Sequence, residues 1–401
     1  MAHSDPPGSP DSTHRAGVFG GASWRLGTVS GIEITVDHTW VLIFGLVTVS
    51  LGTRLGAAHA EDWSPGVVWA TALVASLLFF TSIVLHELGH SLVAQRVGVR
   101  VRSITLFVFG GLARLESEPR RPRDEILIAL AGPLVSLVLA AAFSGIAGLF
   151  AGLAGDASGA PEVVAEASTW LARINLIVAI FNVVPGFPLD GGRVLRGVVW
   201  AATGSFARAT RVAAASGSLF AYTLIGLGIF SVLFGRQLLG GLWLVFIGWF
   251  LLSAARATVG QMLIEQILEQ VRVAHVLERN ERAWVQGLAR VGELVTRGVM
   301  QHGLRTFFVV DEREQLRGIV TLHELSQVSE DERSQTRVEE IMVPAEALAT
   351  TSPDESCWDA FQRLSEWNVN QLPVLADGRL LGALTRERLL AVVQARLTLR
   401  T

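Results

Sequence analysis

Apolar and polar positions along this 401-residue chain fall into two regimes. Between about residues 39 and 255, uncharged apolar runs of bilayer-spanning length recur. They predict helices near 39–53, 67–95, 125–153, 170–203, 211–234 and 238–255, the fourth interrupted around Asp190. After Arg256 charge becomes dense, and 257–280 keeps a helical period. From about 271 the pattern is that of an α/β domain. TFFVVDEREQLRGIVTLHEL (306–325) and QLPVLADGRLLGALTRERLL (371–390) each read as apolar strand, acidic turn, strand ending in Gly-x-x-Thr, then helix. They form an internal repeat of two units. The resulting division is a polar tail over 1–24, expected to be disordered, a membrane domain over 25–256, a helical linker over 257–270 and an α/β domain over 271–395.

Composition supports the membrane reading: 50% of residues are hydrophobic and 17% charged, too apolar for an ordinary soluble chain of this length. A net charge of -3 gives no reason to expect nucleic acid. The single cysteine, Cys357, excludes an internal disulfide and a cysteine-based zinc site; it falls in a predicted helix. Every basic residue is Arg, and their distribution orients the chain. Seven lie in the loop 96–124 (Arg96, Arg100, Arg102, Arg114, Arg120, Arg121, Arg123), whereas 154–169 holds Asp156, Glu162 and Glu166 and no Arg. Excess Arg marks the cytoplasmic side, so both termini are expected there. The tail lacks the apolar core of a cleavable signal peptide.

No charge occurs from Pro65 to Leu85, and then HELGH brings His86, Glu87 and His90 into a helix that stays apolar beyond them. Ionisable groups inside a membrane are costly and usually functional. On a helix, positions four apart share a face, so the two imidazoles can grip one metal ion. Glu87 projects about 100° round from His86, beside the metal without ligating it. Zinc lowers the pKa of bound water to about 7, and a neighbouring carboxylate can accept that proton and return it to a leaving amine. Catalytic zinc wants a third protein ligand and an open position. The candidate is Asp190 in FNVVPGFPLDGGR (181–193), where prolines and glycines should open the helix. The alternative for Asp190 is a helix cap at the membrane edge. Arg193 and Arg196 read as phosphate or interface contacts, and His38, before the first span, as a membrane-interface histidine.

HELGH on one span, with N-x-x-P-x-x-P-L-D-G (Asn182 to Gly191) on a later one and AGPLVS (131–136) between, resembles the site-2 protease family of intramembrane zinc metalloproteases. The resemblance implies a polytopic α-helical protease domain with one zinc ion held by His86, His90 and Asp190, and Glu87 as general base. It implies that Asn182 orients the substrate or stabilises the oxyanion, with a helix–helix hydrogen bond as the alternative. The substrates it implies are transmembrane proteins, such as anti-sigma factors or other membrane-tethered regulators. SITLFVFGGLARLE (103–116) reads as strand, Gly110–Gly111 turn, strand. Its exposed edge could pair with an unwound substrate segment, or it could be a plain hairpin packed on the core.

The two repeats resemble a CBS-domain pair, a module that often binds adenine nucleotides. The family's Gly-x-x-Thr-x-x-Asp stretch is GIVTLHE in the first copy, with Thr321 and Glu324, and GALTRER in the second, with Thr385 and Arg388. Nucleotide binding through Thr321, Glu324 and Thr385 and a structural role in homodimerisation both stay open here. Two competing functions also stand: a channel or transporter with a CBS regulator, and an inactive protease relative that binds membrane partners.

Overall fold

The structure, a computed structural model, describes residues 23–108, 110–115, 117–154, 159–235 and 238–399. Of the expected tail, only Ser23 and Trp24 are among them. The chain divides between Gly260 and Gln261 into two compact units.

The first unit contains α1 (Trp40–Ala58), α2 (Pro65–Arg96), α3 (Pro122–Ala154), α4 (Ala160–Val183), α5 (Asp190–Thr203) and α6 (Phe206–Leu233). The last helix, α7 (Leu238–Glu269), is one continuous helix through the stretch read as a linker. Among the described residues, six helices, all of these except α5, are long and apolar enough to cross a membrane. Leu42, Leu134, Leu149, Ile180 and Leu219 are each more than 60% exposed. A belt of this kind fits hydrocarbon, not water. The protein is thus a multi-pass membrane protein.

Helix ends follow local chemistry. Ser64 caps α2, its hydroxyl accepting from Val67 N at 3.4 Å, with Pro65 in the first turn. At the other end Gly98 takes φ +86, letting Val99 N reach Ala94 O at 2.9 Å and close the helix. The fourth span begins at Ala160 and not near 170, because Glu162 and Glu166 sit in its first turns and are paired, with His59 at 3.5 Å and Arg54 at 3.4 Å. It stops at Val183, and Val184–Leu189 carries Pro185 and Pro188 before α5 starts at Asp190.

One sheet accompanies the helices, in order β1 (Ser23–Val29), β2 (Ile32–Asp37), β3 (Val101–Phe107), β4 (Gly110–Leu115). The β1–β2 hairpin was not legible as strands. β2 runs parallel to β3, with Thr35 and Thr105 hydroxyls 2.9 Å apart across the pair. The expected β3–β4 hairpin forms, but its turn precedes Gly110–Gly111. Those two residues open β4, opposite Phe107 and Leu106, and Gly110 has φ +128, a value that suits glycine. Phe109 lies outside the described residues.

The second unit comprises the end of α7 and two α/β repeats. The first has β5 (Trp284–Gln286), α8 (Val291–Glu293, running on through Leu294–Gln301 in wider turns), β6 (Thr306–Val310), β7 (Leu316–Thr321) and α9 (Leu322–Gln327). Then come α10 (Val338–Ile341), β8 (Val343–Pro344) and the second repeat: α11 (Cys357–Glu366), β9 (Gln371–Ala376), β10 (Arg379–Thr385) and α12 (Arg386–Thr398). The two hairpin tips bond each other: Leu316 N to Gly378 O at 3.2 Å and Leu380 N to Glu314 O at 2.9 Å. Phe308, Val310, Leu316 and Ile319 share a core with Leu380 and Ala383. Cys357 is fully buried in the second core, and burial pushes its thiol up to about 11.

Candidate metal centre

His86 and His90 leave the same face of α2, and Asp190 begins α5 behind the broken backbone. Asp190 Oδ2 lies 3.2 Å from Nε2 of each histidine, and the two Nε2 atoms are 3.2 Å apart. These three ligand-type atoms make an almost equilateral triangle. Asp190 is not spent on capping: Leu189 occupies the cap position of α5 and no side chain caps it. All three side chains are at most 15% exposed.

The second ring nitrogens have partners on α3. The Ile128 carbonyl accepts from His90 Nδ1 at 2.6 Å, and His86 Nδ1 is 2.9 Å from Ser136 Oγ. A carbonyl only accepts, so in neutral His90 the proton sits on Nδ1 and Nε2 presents a lone pair. Lone pairs and a carboxylate facing one another repel unless a cation sits between them. Ligand atoms of a tetrahedral zinc ion with bonds of about 2.0 Å stand about 3.3 Å apart, close to the triangle's edges. Gly132 of α3 adds a spatial test: a Cβ there would overlap Nε2 of both imidazoles. The donor set, its spacing and this cradle all fit a zinc ion.

Glu87 is half-buried and packs against β4, where a Cβ on Gly111 would overlap its side chain. The two glycines of the hairpin therefore differ in what they do: Gly111 makes room for Glu87, while Gly110 supplies the backbone angle. Asn182 lies half-buried in the last turn of α4. It makes no side-chain hydrogen bond with the described residues.

The break is held in place from both sides. Phe187 N donates to Ala213 O at 3.1 Å, and the Ser216 hydroxyl donates to the Pro185 carbonyl. A Cβ on Gly191 or Gly192 would strike the backbone of the break, so the glycines after Asp190 let α5 tuck under the end of α4. Arg193 and Arg196 are interface contacts. Fully buried Glu125 accepts at Oε1 from Arg193 Nε at 3.1 Å and Arg196 Nη2 at 2.6 Å. Arg196 also reaches Glu118 at 3.2 Å and lies over the Phe187 and Phe206 rings. This network ties α5 to the first turn of α3 and so fixes where Asp190 points. An apolar cavity of about 220 Å³ lies between Ala129, Pro133, Pro185, Val194 and Val198, with Asp190 as the one charged residue in its wall.

Sequence reasoning missed Ile128, Gly132, Ser136 and Glu125. The only signal was AGPLVS itself, a Gly-Pro pair within an apolar span.

In the second unit, Thr321 and Glu324 are engaged with each other. Glu324 Oε2 accepts from Thr321 N at 2.7 Å and Thr321 Oγ1 at 2.6 Å, a capping box at the start of α9. Partial burial pushes the Glu324 carboxyl up, but these bonds outweigh it and hold it below the usual carboxylate range. Thr385 caps α12, accepting from Arg388 N at 3.1 Å, and Arg388 pairs with Glu278 at 3.7 Å.

Comparison with known proteins places these features. The family described as peptidase family M50 matches residues 74–168 and 157–226, and the CBS domain matches 338–395. Rip3 of Mycobacterium tuberculosis, provisionally named a zinc metalloprotease, is 33% identical over 353 residues, 88% of each chain. The protein sll0528 of Synechocystis sp., named in the same way, is 33% identical over 94% of this chain and 97% of its own. The chain belongs to peptidase family M50. The site-2 protease from Methanocaldococcus jannaschii aligns with 59% of this chain and 95% of its own, at 29% identity and a TM-score of 0.41. The M50 match contains His86, Glu87, His90, Asn182 and Asp190, and with them the α3 residues that face the site. The CBS match contains Thr385 but stops short of Thr321 and Glu324.

Proposed function

We propose that this M50 member is a zinc-dependent intramembrane endopeptidase, cutting a peptide bond in or near a transmembrane segment of another protein. The observation that carries the reading is the triangle of His86 Nε2, His90 Nε2 and Asp190 Oδ2, with 3.2 Å edges, formed between the spanning helix α2 and the start of α5 and beside Glu87. His86, His90 and Asp190 would hold one zinc ion per chain, whose Lewis acidity polarises whatever occupies its remaining position.

Glu87 moves the protons. It accepts one from the attacking water as the carbon–oxygen bond forms, and delivers it to the departing nitrogen as the carbon–nitrogen bond breaks. The Asn182 amide, which makes no side-chain hydrogen bond with the described residues, is available to donate to the carbonyl oxygen as negative charge develops there. A peptide bond in a helix is hidden by its own hydrogen bonds, so the substrate must unwind. β4 is an edge strand, and Gly111 brings it against Glu87. A substrate strand added to that edge would lie beside the base, and the apolar cavity at Asp190 would accept a neighbouring aliphatic side chain.

The Arg-rich segment 96–124 supports a cytoplasmic location for that side of the membrane and for both termini. The CBS unit would then act in the cytoplasm, as a nucleotide sensor or a homodimer contact, on proteolysis of a membrane-tethered regulator such as an anti-sigma factor. Purified chain in proteoliposomes with a transmembrane reporter tests the core of this reading. Cleavage should require zinc, and Glu87→Gln should lower it about 10²–10⁴-fold with zinc still bound. Undiminished cleavage by Glu87→Gln would remove the assigned base.

A further inference from the structure

We propose that one face of α3 is a working part of the metal centre: Ser136 is a positioning residue that holds the His86 ring through Nδ1, and Gly132 keeps the coordination space open. The inference rests on the zinc reading above and extends it to residues outside both ligand motifs. Ile128, Gly132 and Ser136 follow one another at four-residue spacing, so they share a face of α3. That face meets the site at three points: a backbone carbonyl on His90, an empty position against both Nε2 atoms, and a hydroxyl on His86.

Ser136 differs from several serines in these helices. Ser82, Ser144 and Ser218 each donate to the carbonyl four residues back, at 2.8–2.9 Å. Ser136 is 1% exposed, and its one partner among the described residues is His86 Nδ1. The hydroxyl can accept from Nδ1–H, and in that arrangement the Nε2 lone pair of His86 is left for the metal. The other tautomer carries its proton on Nε2 and cannot ligate there. Partners of this kind raise metal affinity typically 10–100-fold. The bond on His90 comes from backbone, so substitution at 136 frees the His86 ring and leaves His90 held. At 132, glycine is disfavoured in a helix interior relative to alanine, yet any side chain there would occupy the ligand atoms' own space.

The test is zinc affinity of the purified full-length chain, measured in chelator-buffered zinc, together with the visible absorption spectrum of the cobalt-loaded chain. Ser136→Ala should weaken zinc binding about 10–100-fold and alter the cobalt bands. Ser136→Thr, which restores the hydroxyl, should recover most of the affinity. Gly132→Ala should bind no metal while unfolding at the wild-type temperature in zinc-free buffer. Ser136→Ala removes a single oxygen and decides the matter even where Gly132→Ala fails to fold. Equal zinc affinity in wild type and Ser136→Ala would overturn the role of α3 and leave the zinc reading intact. A wild type that binds no zinc would overturn the zinc reading itself.

Discussion

Single residues at the site divide into groups assigned chemistry in the proposed reaction and groups that make space. His86, Glu87, His90 and Asp190 were legible because ionisable side chains at membrane depth are costly and stand out from an apolar background. Gly132 and Ser136 were not, since glycine and serine are common in membrane helices and only coordinates reveal what they face. Gly111 is the second space-maker. Gly111→Ala should push Glu87 from its place and lower turnover of a transmembrane reporter while zinc content stays at the wild-type level; unchanged turnover would mean that Glu87 has room to spare. Cys357 is the contrasting case. Buried, with its thiol pushed up to about 11, it should resist maleimide labelling of the native chain at neutral pH and react only after denaturation.

At the scale of elements, the question is what brings a carboxylate on α5 to histidines on α2. The six spans followed from apolar run length, and the break at Val184–Leu189 from its prolines. The start of the fourth span was misplaced because Glu162 and Glu166 read as loop, whereas pairing with His59 and Arg54 accommodates them in the helix. The β1–β2 hairpin escaped although IEITVD alternates apolar and polar residues, because six residues are a short signal just ahead of a long apolar span. Glu125 is the tie that holds α5. Removing one partner of a buried ionic network typically costs about 3–5 kcal/mol. Glu125→Ala, which leaves Arg193 and Arg196 facing no carboxylate at that point, should therefore lower the unfolding temperature in detergent and weaken zinc binding. An unshifted unfolding temperature would show the network to be solvated in the folded chain.

For the whole molecule, the repeat at 306–325 and 371–390 was enough to read a paired α/β unit, because each copy carries its own strand, turn and helix signals. The ligand of that unit was less legible, since Thr321 and Glu324 serve equally as ribose contacts or as a helix cap. Adenine nucleotide binding would exchange the bond between them for ribose hydroxyls. On the proposed nucleotide-sensor role, the full chain should bind adenine nucleotide in calorimetry and Thr321→Ala should abolish it; no binding by wild type would leave the dimer-contact role, and undiminished binding by Thr321→Ala would move the nucleotide elsewhere. The same unit should respond to acid. Partial burial pushes the Glu355 carboxyl up, but bonds from Arg363 and Thr351 outweigh it and hold it below its ordinary range. Its contribution to stability is present above an unfolded-state value of about 4.3 and is lost as pH falls through the lowered folded-state value. Hydrogen-exchange protection over 351–366 should fall across that window in wild type and fall less in Arg363→Ala. The zinc content of purified wild type and Asp190→Ala, loaded and washed identically, bears most directly on the proposed metal centre, on which the proposed proteolysis depends. One zinc per wild-type chain, lost or sharply reduced in Asp190→Ala, is the expected result; equal zinc in both proteins, or none in wild type, would contradict it.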